Sequence, residues 1–286
     1  MVIDEAQRMP EIFPPIRVLL DRAERSTQFL LTGSASPSLI RNLSESLAGR
    51  IGVVDLSGFD LRETGGDHLR PLWIRGGFPR SYLAPDSTAS NDWRSSFVRT
   101  FLERDLPQLG ISIPATTLRR FWTMIAHYHG HLWNAAEFAR SLGVDEKTAR
   151  RYLDILAGAF MVRVLAPWFE NIKKRQVKAP KIYIRDSGLL HTLLGLSTHD
   201  ELLGHPKLGA SWEGFVIEQV ISALQTRDAY YWATQSGAEL DLLVHVRGKR
   251  HGFEIKYADA PGTTKSMHVA LQDLGLEHLW VVYPGT

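Results

Sequence analysis

Three residues near the end of the chain have the types and order that a metal-dependent phosphodiesterase uses. Asp241 is followed, after twelve intervening residues, by Glu254-Ile255-Lys256. Such a reaction needs carboxylates that converge on magnesium and a lysine that steadies the attacking water or the charge of the scissile phosphate. On a strand, Glu254 and Lys256 stand two apart and project from one face. The preceding strand candidate carries Asp241, with RGKRHG as the turn between. Upstream, the helical segment WEGFVIEQV offers two further acids, Glu213 and Glu218. A surface hairpin with an ordinary Glu-Lys pair has the same spacing, so the surrounding fold has to decide between them.

The opposite end holds a second acidic group, where Val2-Ile3 runs into Asp4-Glu5. An apolar strand ending in Asp-Glu is what a nucleotide hydrolase needs at its Walker B position. There the first carboxylate holds magnesium and the second orients water. The alternative is a strand-end acidic pair in a solvated turn.

The third group is basic. AAEFARSL, then Gly143-Val144, then DEKTARRYLDIL reads as a helix, a tight glycine turn and a second helix that Asp145 can cap. Lys147, Arg150 and Arg151 share one face of the second helix, while Ala149, Leu153 and Leu156 face the other way. A helix-turn-helix presents its reading helix to the major groove in this manner. Between Pro167 and Lys181, the cations Lys173, Lys174, Arg175, Lys178 and Lys181 stand against the single acid Glu170. With the β-like runs FMVRVL and KIYIRD on either side, the stretch reads as a wing suited to phosphate contacts. A solvated charged helix with a basic loop, or a protein-docking winged helix, is the competing reading. His127, His129 and His131 alternate but have no carboxylate at ligand spacing, and they read as turn residues at a helix end.

The elements that must position these groups follow from periodicity. Residues 10–24 give a proline-bounded connection and a helix. Phe29-Leu30-Leu31 with Thr32-Gly33-Ser34 gives a buried strand and a small-residue turn, and another helix leads toward Leu47, the α/β pattern of a mostly parallel sheet. Residues 60–90, rich in Gly, Pro and Ser, read as an irregular connection and a domain boundary. Helical patterns run from Trp93 to Leu109 and after Pro114, where Leu118, Phe121, Trp122 and Ile125 recur at three-and-four spacing. After a link near 195–208 come a helix, three strand candidates (DAYYWAT, ELDLLVHV, RHGFEIKY), a helix and a last strand.

Composition bounds the whole. A chain of 286 residues is too long for one ordinary core and divides into two or three. With 44% hydrophobic and 22% charged residues it should fold. The lack of cysteine excludes disulfides, thiolate catalysis and cysteine-based zinc sites. No apolar run reaches the ~20 residues needed to span a bilayer and MVIDEAQR is no secretory signal, so a cytoplasmic setting with no membrane partner is expected. The net charge of +2 is too small to indicate nucleic acid by itself, and the local basic patches carry that argument.

Taken in order, Asp4-Glu5-Ala6-Gln7-Arg8, Leu31-Thr32-Gly33-Ser34-Ala35 and Ser46-Leu47-Ala48-Gly49-Arg50 resemble the Walker B, sensor strand and arginine-bearing turn of a bacterial and archaeal AAA-type ATPase family. The resemblance covers the first 60 residues and continues through the rest of the chain. It implies nucleotide roles for Asp4, Glu5, Ser34 and Arg50. The family's G-x-x-x-x-G-K-[ST] segment has no counterpart in these residues, so ATP is expected as a ligand only if an upstream phosphate-binding loop exists. The C-terminal Gly237-Ala238-Glu239-Leu240-Asp241 and Phe253-Glu254-Ile255-Lys256 resemble the PD-(D/E)-x-K nuclease superfamily and the domain of unknown function that ends the ATPase family. That resemblance puts Glu213 in the first-motif position beside Asp241, Glu254 and Lys256, with magnesium on Asp241 and Glu254. The expected architecture is therefore α/β: a truncated P-loop-type core over 1–60, a linker or helical lid over 61–110, a winged helix over 111–190 and a restriction-endonuclease-like domain over 200–286. DNA and further copies of the chain are the partners it allows. A non-catalytic DNA- or protein-binding module is the alternative function.

Overall fold

The computed structural model describes residues 1–6, 9–22, 28–33, 47–52, 54–172 and 174–285. Strand β1 (Val2–Ile3), helix α1 (Phe13–Asp21) and strand β2 (Leu30–Leu31) form a small N-terminal unit. β1 and β2 pair in parallel, as the sequence pattern requires. Phe13, Ile16 and Leu47 are its buried core. The helix expected to lead to Leu47, and Ser34 before it, lie outside the described residues.

Residues 60–90 are helical rather than irregular. Helices α2 (Leu61–Thr64), α3 (Leu69–Arg75) and α4 (Pro79–Tyr82) follow one another, and α5 (Ser87–Thr100) continues through a π-helical turn to Gln108. The Gly, Pro, Ser and Asp residues that suggest a loop sit at helix ends. Asp60 and Glu63 make a capping box, Gly76 ends α3 at φ +78°, Pro79 opens α4 and Asp86 caps α5. Leu72, Trp73 and Ile74 of α3 pack into the same core as the C-terminal sheet.

The central unit contains α6 (Ala115–His127), β3 (His131–Leu132), α7 (Ala135–Leu142), α8 (Glu146–Gly158), β4 (Val162–Leu165) and β5 (Lys181–Ile184). The turn between α7 and α8 is built as its sequence demands: Gly143 is left-handed at φ +70°, and Asp145 accepts from the Thr148 amide at 2.7 Å. The strands form an antiparallel sheet of order β3-β5-β4. The connection from β4 to β5 runs along the C-terminal sheet, bridging Pro167 to Tyr231 and Gln176 to Thr234.

Helices α9 (Ser187–Leu193), α10 (His199–Leu203) and α11 (Leu208–Leu224) lead to the C-terminal sheet. That sheet has β6 (Ala229–Ala233), β7 (Glu239–Val246), β8 (Lys249–Ile255) and β9 (His278–Val282) in sequence order, with α12 (Lys265–Asp273) before the last strand. β6, β7 and β8 are antiparallel neighbours and β9 joins β8 in parallel, which is why a helix must cross between them. The β7–β8 turn is tighter than the six residues expected. Only Arg247 and Gly248 separate the strands, both at positive φ (+50° and +76°), the conformation a two-residue hairpin requires. Trp212, Phe215 and Ile217 of α11 bury against Leu242, Val244 and Ile255, and Ala270 and Leu274 pack with Leu240 and Leu243. The chain is thus a mixed α/β protein with several sheets.

Candidate active site

The register of the β7–β8 hairpin creates the site. Leu242 pairs with Phe253, so one step further Asp241 stands opposite Glu254. At that step the Ile255 amide donates to Asp241 Oδ2 at 2.8 Å, so a side chain satisfies the backbone donor. Lys256 follows β8 and places its ammonium 2.7 Å from Glu254 Oε1 and 3.9 Å from Asp241 Oδ2. Asp241 and Glu254 are buried, while Lys256 is partly open to solvent.

Glu213 reaches the same place from α11. The hydroxyl of Tyr183 donates to its Oε1 at 2.5 Å, and Lys181 Nζ lies 3.1 Å from the same oxygen. Lys181 also pairs with Glu239 and stands 3.9 Å from Asp241 Oδ1. The structure therefore brings Asp241, Glu254, Lys256 and Glu213 together, and it adds Lys181, Tyr183 and Glu239, which sequence reasoning does not assign to the site. One signal for two of them is present. Lys181 and Tyr183 are two apart in KIYI and so share a strand face. The other acid of α11, Glu218, points elsewhere and forms a partly buried triad with Arg163 and Arg185.

Electrostatics follow from this crowding. Burial, then the charges of Glu213 and Glu254, push the Asp241 carboxyl up to about 8. Burial also raises Glu254, against the pull of Lys256. Burial works against the charge of Lys181, but Glu213, Glu239 and Asp241 outweigh it and hold its ammonium above the ordinary lysine value. Tyr183 is raised well above a free phenol by burial and by Glu213. Glu254 Oε2 is buried and has no hydrogen-bond partner.

The donor set is hard and oxygen-rich, which suits magnesium in kind. As arranged it does not fit. Among the described residues no three metal-binding side chains gather in ligand geometry, and the ammonium of Lys181 stands among Glu213, Glu239 and Asp241.

The remaining sequence candidates are distributed as follows. Asp4 is exposed, accepts from Thr32 Oγ1 at 2.5 Å and from the Glu5 amide at 2.9 Å, and is held below the usual carboxylate range by these bonds. Glu5 has φ +52°. Arg50 pairs with Asp21 at 2.5 Å. Lys147, Arg150 and Arg151 are exposed along α8, with Ala149, Leu153 and Leu156 buried beneath them. Lys174 is bound to Asp273 at 2.6 Å, Arg175 is exposed, and Lys173 lies outside the described residues. His129 is buried between Ala210 and the Ile184 amide, while His127 ends α6 and His131 opens β3. No helix among the described residues is long and apolar enough to cross a membrane.

Residues 1–65 match the family model of an AAA domain, residues 66–200 a domain of unknown function (DUF8612) and residues 208–286 another (DUF4143). An uncharacterized protein of Mycobacterium tuberculosis and one of Mycobacterium bovis are each 55% identical over 285 residues, all of this chain. The chain spans 65% of the length of each. The crystal structure of the transcriptional regulator PA3341 aligns over 48% of this chain and 96% of its own at 24% identity, with a TM-score of 0.21, a level from which no shared fold follows. The two ends of the chain are thus similar to an AAA domain and to a domain of unknown function, each over less than half of its length.

Proposed function

We propose that this chain is AAA-family ATPase-related and acts on DNA, with residues 111–190 as a winged-helix unit and residues 200–286 as a PD-(D/E)-x-K nuclease-like unit. Residues 1–60 are then the Walker B, sensor and arginine-bearing segments of an ATPase core and 61–110 a helical lid. The observation that carries the nuclease-like reading is the placement of Asp241 opposite Glu254 on neighbouring strands, with Lys256 on both and Glu213 arriving from α11. In that reading Lys256 stabilises charge on a scissile phosphate and the acids hold magnesium, which requires Lys181 to leave them. The exposed Lys147, Arg150 and Arg151 support a nucleic-acid face on α8, and Arg175 is exposed in the basic stretch after β4. Lys173 and Lys174 belong to the same basic stretch, with Lys174 engaged by Asp273. Asp4, Glu5, Ser34 and Arg50 serve a nucleotide only together with a phosphate-binding loop.

One observation favours the alternative, a non-catalytic DNA- or protein-binding module: a lysine fills the acidic cluster. The test is incubation of the protein with plasmid and branched DNA in magnesium and in manganese, beside Asp241→Asn and Lys256→Met. Abolished cleavage in both variants is the expected outcome. Wild-type protein that binds these DNAs and cuts none of them would leave the binding module standing.

A further inference from the structure

Strand β9 ends the C-terminal sheet. Its inner side pairs with β8 from His251↔His278 to Ile255↔Val282, and among the described residues no strand joins its outer side. The Lys256 amide donates to the Val282 carbonyl, so Val282 turns its backbone toward β8. Alternate residues of a strand face opposite neighbours, and the amides and carbonyls of Leu279 and Val281 therefore point outward.

This edge lacks the usual guards. An open strand is normally protected by charge, proline or a bulge. His278-Leu279-Trp280-Val281-Val282 contains neither charge nor proline, and its pairing with β8 runs without a register shift. None of the five residues is buried, and Trp280 is 53% exposed. Leu242 pairs with Phe253 and Phe253 with Trp280, so a row of apolar side chains starts in the core and ends on a bare indole. At the other end of the sheet, β6 is already bridged by Pro167 and Gln176.

We propose that β9 pairs antiparallel with β9 of a second copy, about a two-fold axis at Trp280, and joins two four-stranded sheets into one. The strand is its own complement. About that axis Leu279 of each copy faces Val281 of the other, so the outward backbone groups meet as hydrogen-bonded pairs, and the two Trp280 rings meet at the closer position between them. The row that begins at Leu242 then continues through both indoles into the second core. No like charges are brought together, because β9 is uncharged and Glu277, held by Lys249 at 2.6 Å, falls opposite Tyr283 of the other copy. With β6 closed, sheets cannot add head to tail, and the assembly stops at two.

The chain has no cysteine, so a single introduced one reports the geometry. Trp280→Cys should form a disulfide-linked dimer under mild oxidation, because the two sulfurs face each other across the axis within disulfide reach. Arg151→Cys, at an exposed position on α8, should stay monomeric under the same treatment. Sedimentation equilibrium of the whole chain supplies the affinity. Wild type should dimerise somewhere between about 1 and 100 µM, the strength of a small interface. Trp280→Lys should weaken this at least about tenfold, since two like charges then stand opposite each other. Val281→Pro removes an outward amide and no bond to β8, and should act in the same way. If the proline variant misfolds, Trp280→Lys, which changes an exposed side chain, still decides. Wild type that stays monomeric throughout overturns the proposal and leaves the edge to a strand of another protein. A dimer that survives Trp280→Lys, or that does not cross-link through Trp280→Cys, uses a different surface and overturns it equally.

Discussion

The imidazole of His129 lies directly on Gly214 of α11, so close that a Cβ at this glycine would stand 2.3 Å from Nε2. Glycine is therefore what lets the helix carrying Glu213 approach the central sheet. Gly214→Ala should cost about 1–3 kcal/mol through overpacking, read as a lower urea midpoint at unchanged slope. Gly209→Ala, on the same helix with nothing within 4 Å of its Cβ, should be neutral or slightly stabilising.

Acid should destabilise the protein partly through its buried imidazoles. Burial pushes His129 down to about 3 and His191 down to about 4, so each stays neutral when folded while the unfolded chain takes up a proton near 6.5. Their contribution is complete above about 6.5 and shrinks as pH falls toward the folded values, by roughly 1.4 kcal/mol per unit for each. Asp241, raised to about 8, has the opposite sign: its contribution is complete near pH 4 and is lost as pH rises toward 8. The informative quantity is therefore a difference. His129→Gln should lose less stability than wild type between pH 7 and about 5 in chemical unfolding, and identical pH slopes would show that His129 is not a buried neutral ring.

Glu218 is paired with both Arg163 and Arg185 while largely covered, and Arg163 donates to its Oε2 at 2.8 Å. The two guanidiniums outweigh burial and keep the carboxyl below its ordinary value. Glu218→Ala strands two arginines and should cost about 3–5 kcal/mol. A thermal melt close to wild type would show that solvent already reaches the triad.

Duplex binding, measured by fluorescence anisotropy over a salt series, should weaken when Lys147, Arg150 and Arg151 are changed to alanine together. The slope of log affinity against log salt should fall by about 2–3, one unit for each phosphate that is no longer neutralised. Unchanged affinity and slope would make α8 a protein-docking surface.

Without a phosphate-binding loop, magnesium-ATP should leave the melting temperature unchanged, since only a ligand that binds the folded state raises it. A shift that disappears in Asp4→Ala would contradict this.

The hairpin carrying Asp241, Glu254 and Lys256 is legible in the sequence because strand period and turn chemistry are local, and the same is true of the glycine turn before α8. The helices over residues 60–90 are hidden because Gly, Pro and Ser are both loop formers and helix terminators, and a segment made of short helices is mostly ends. From its neighbours alone, Lys181 reads as one more wing cation. Its burial depends on the β4–β5 connection lying on a sheet about 60 residues further along, a tertiary fact with no local pattern. In the same way Lys174 meets Asp273 because that connection brings it there.

The path of that connection also bears on how the protein is made. Residues 166–172 and 174–177 cover the outer side of β6: the amides of Trp168 and Val177 donate to Tyr231 and Ala233, and the Tyr231 amide donates to Ala166. A bare strand edge invites pairing with other chains. Because the covering stretch precedes β6, it leaves the ribosome first and is waiting when the strand emerges, so this edge has a partner from its own chain at once. Expressed alone from residue 200 onward, the same sheet would be born with that side open, and its yield of soluble material should fall accordingly.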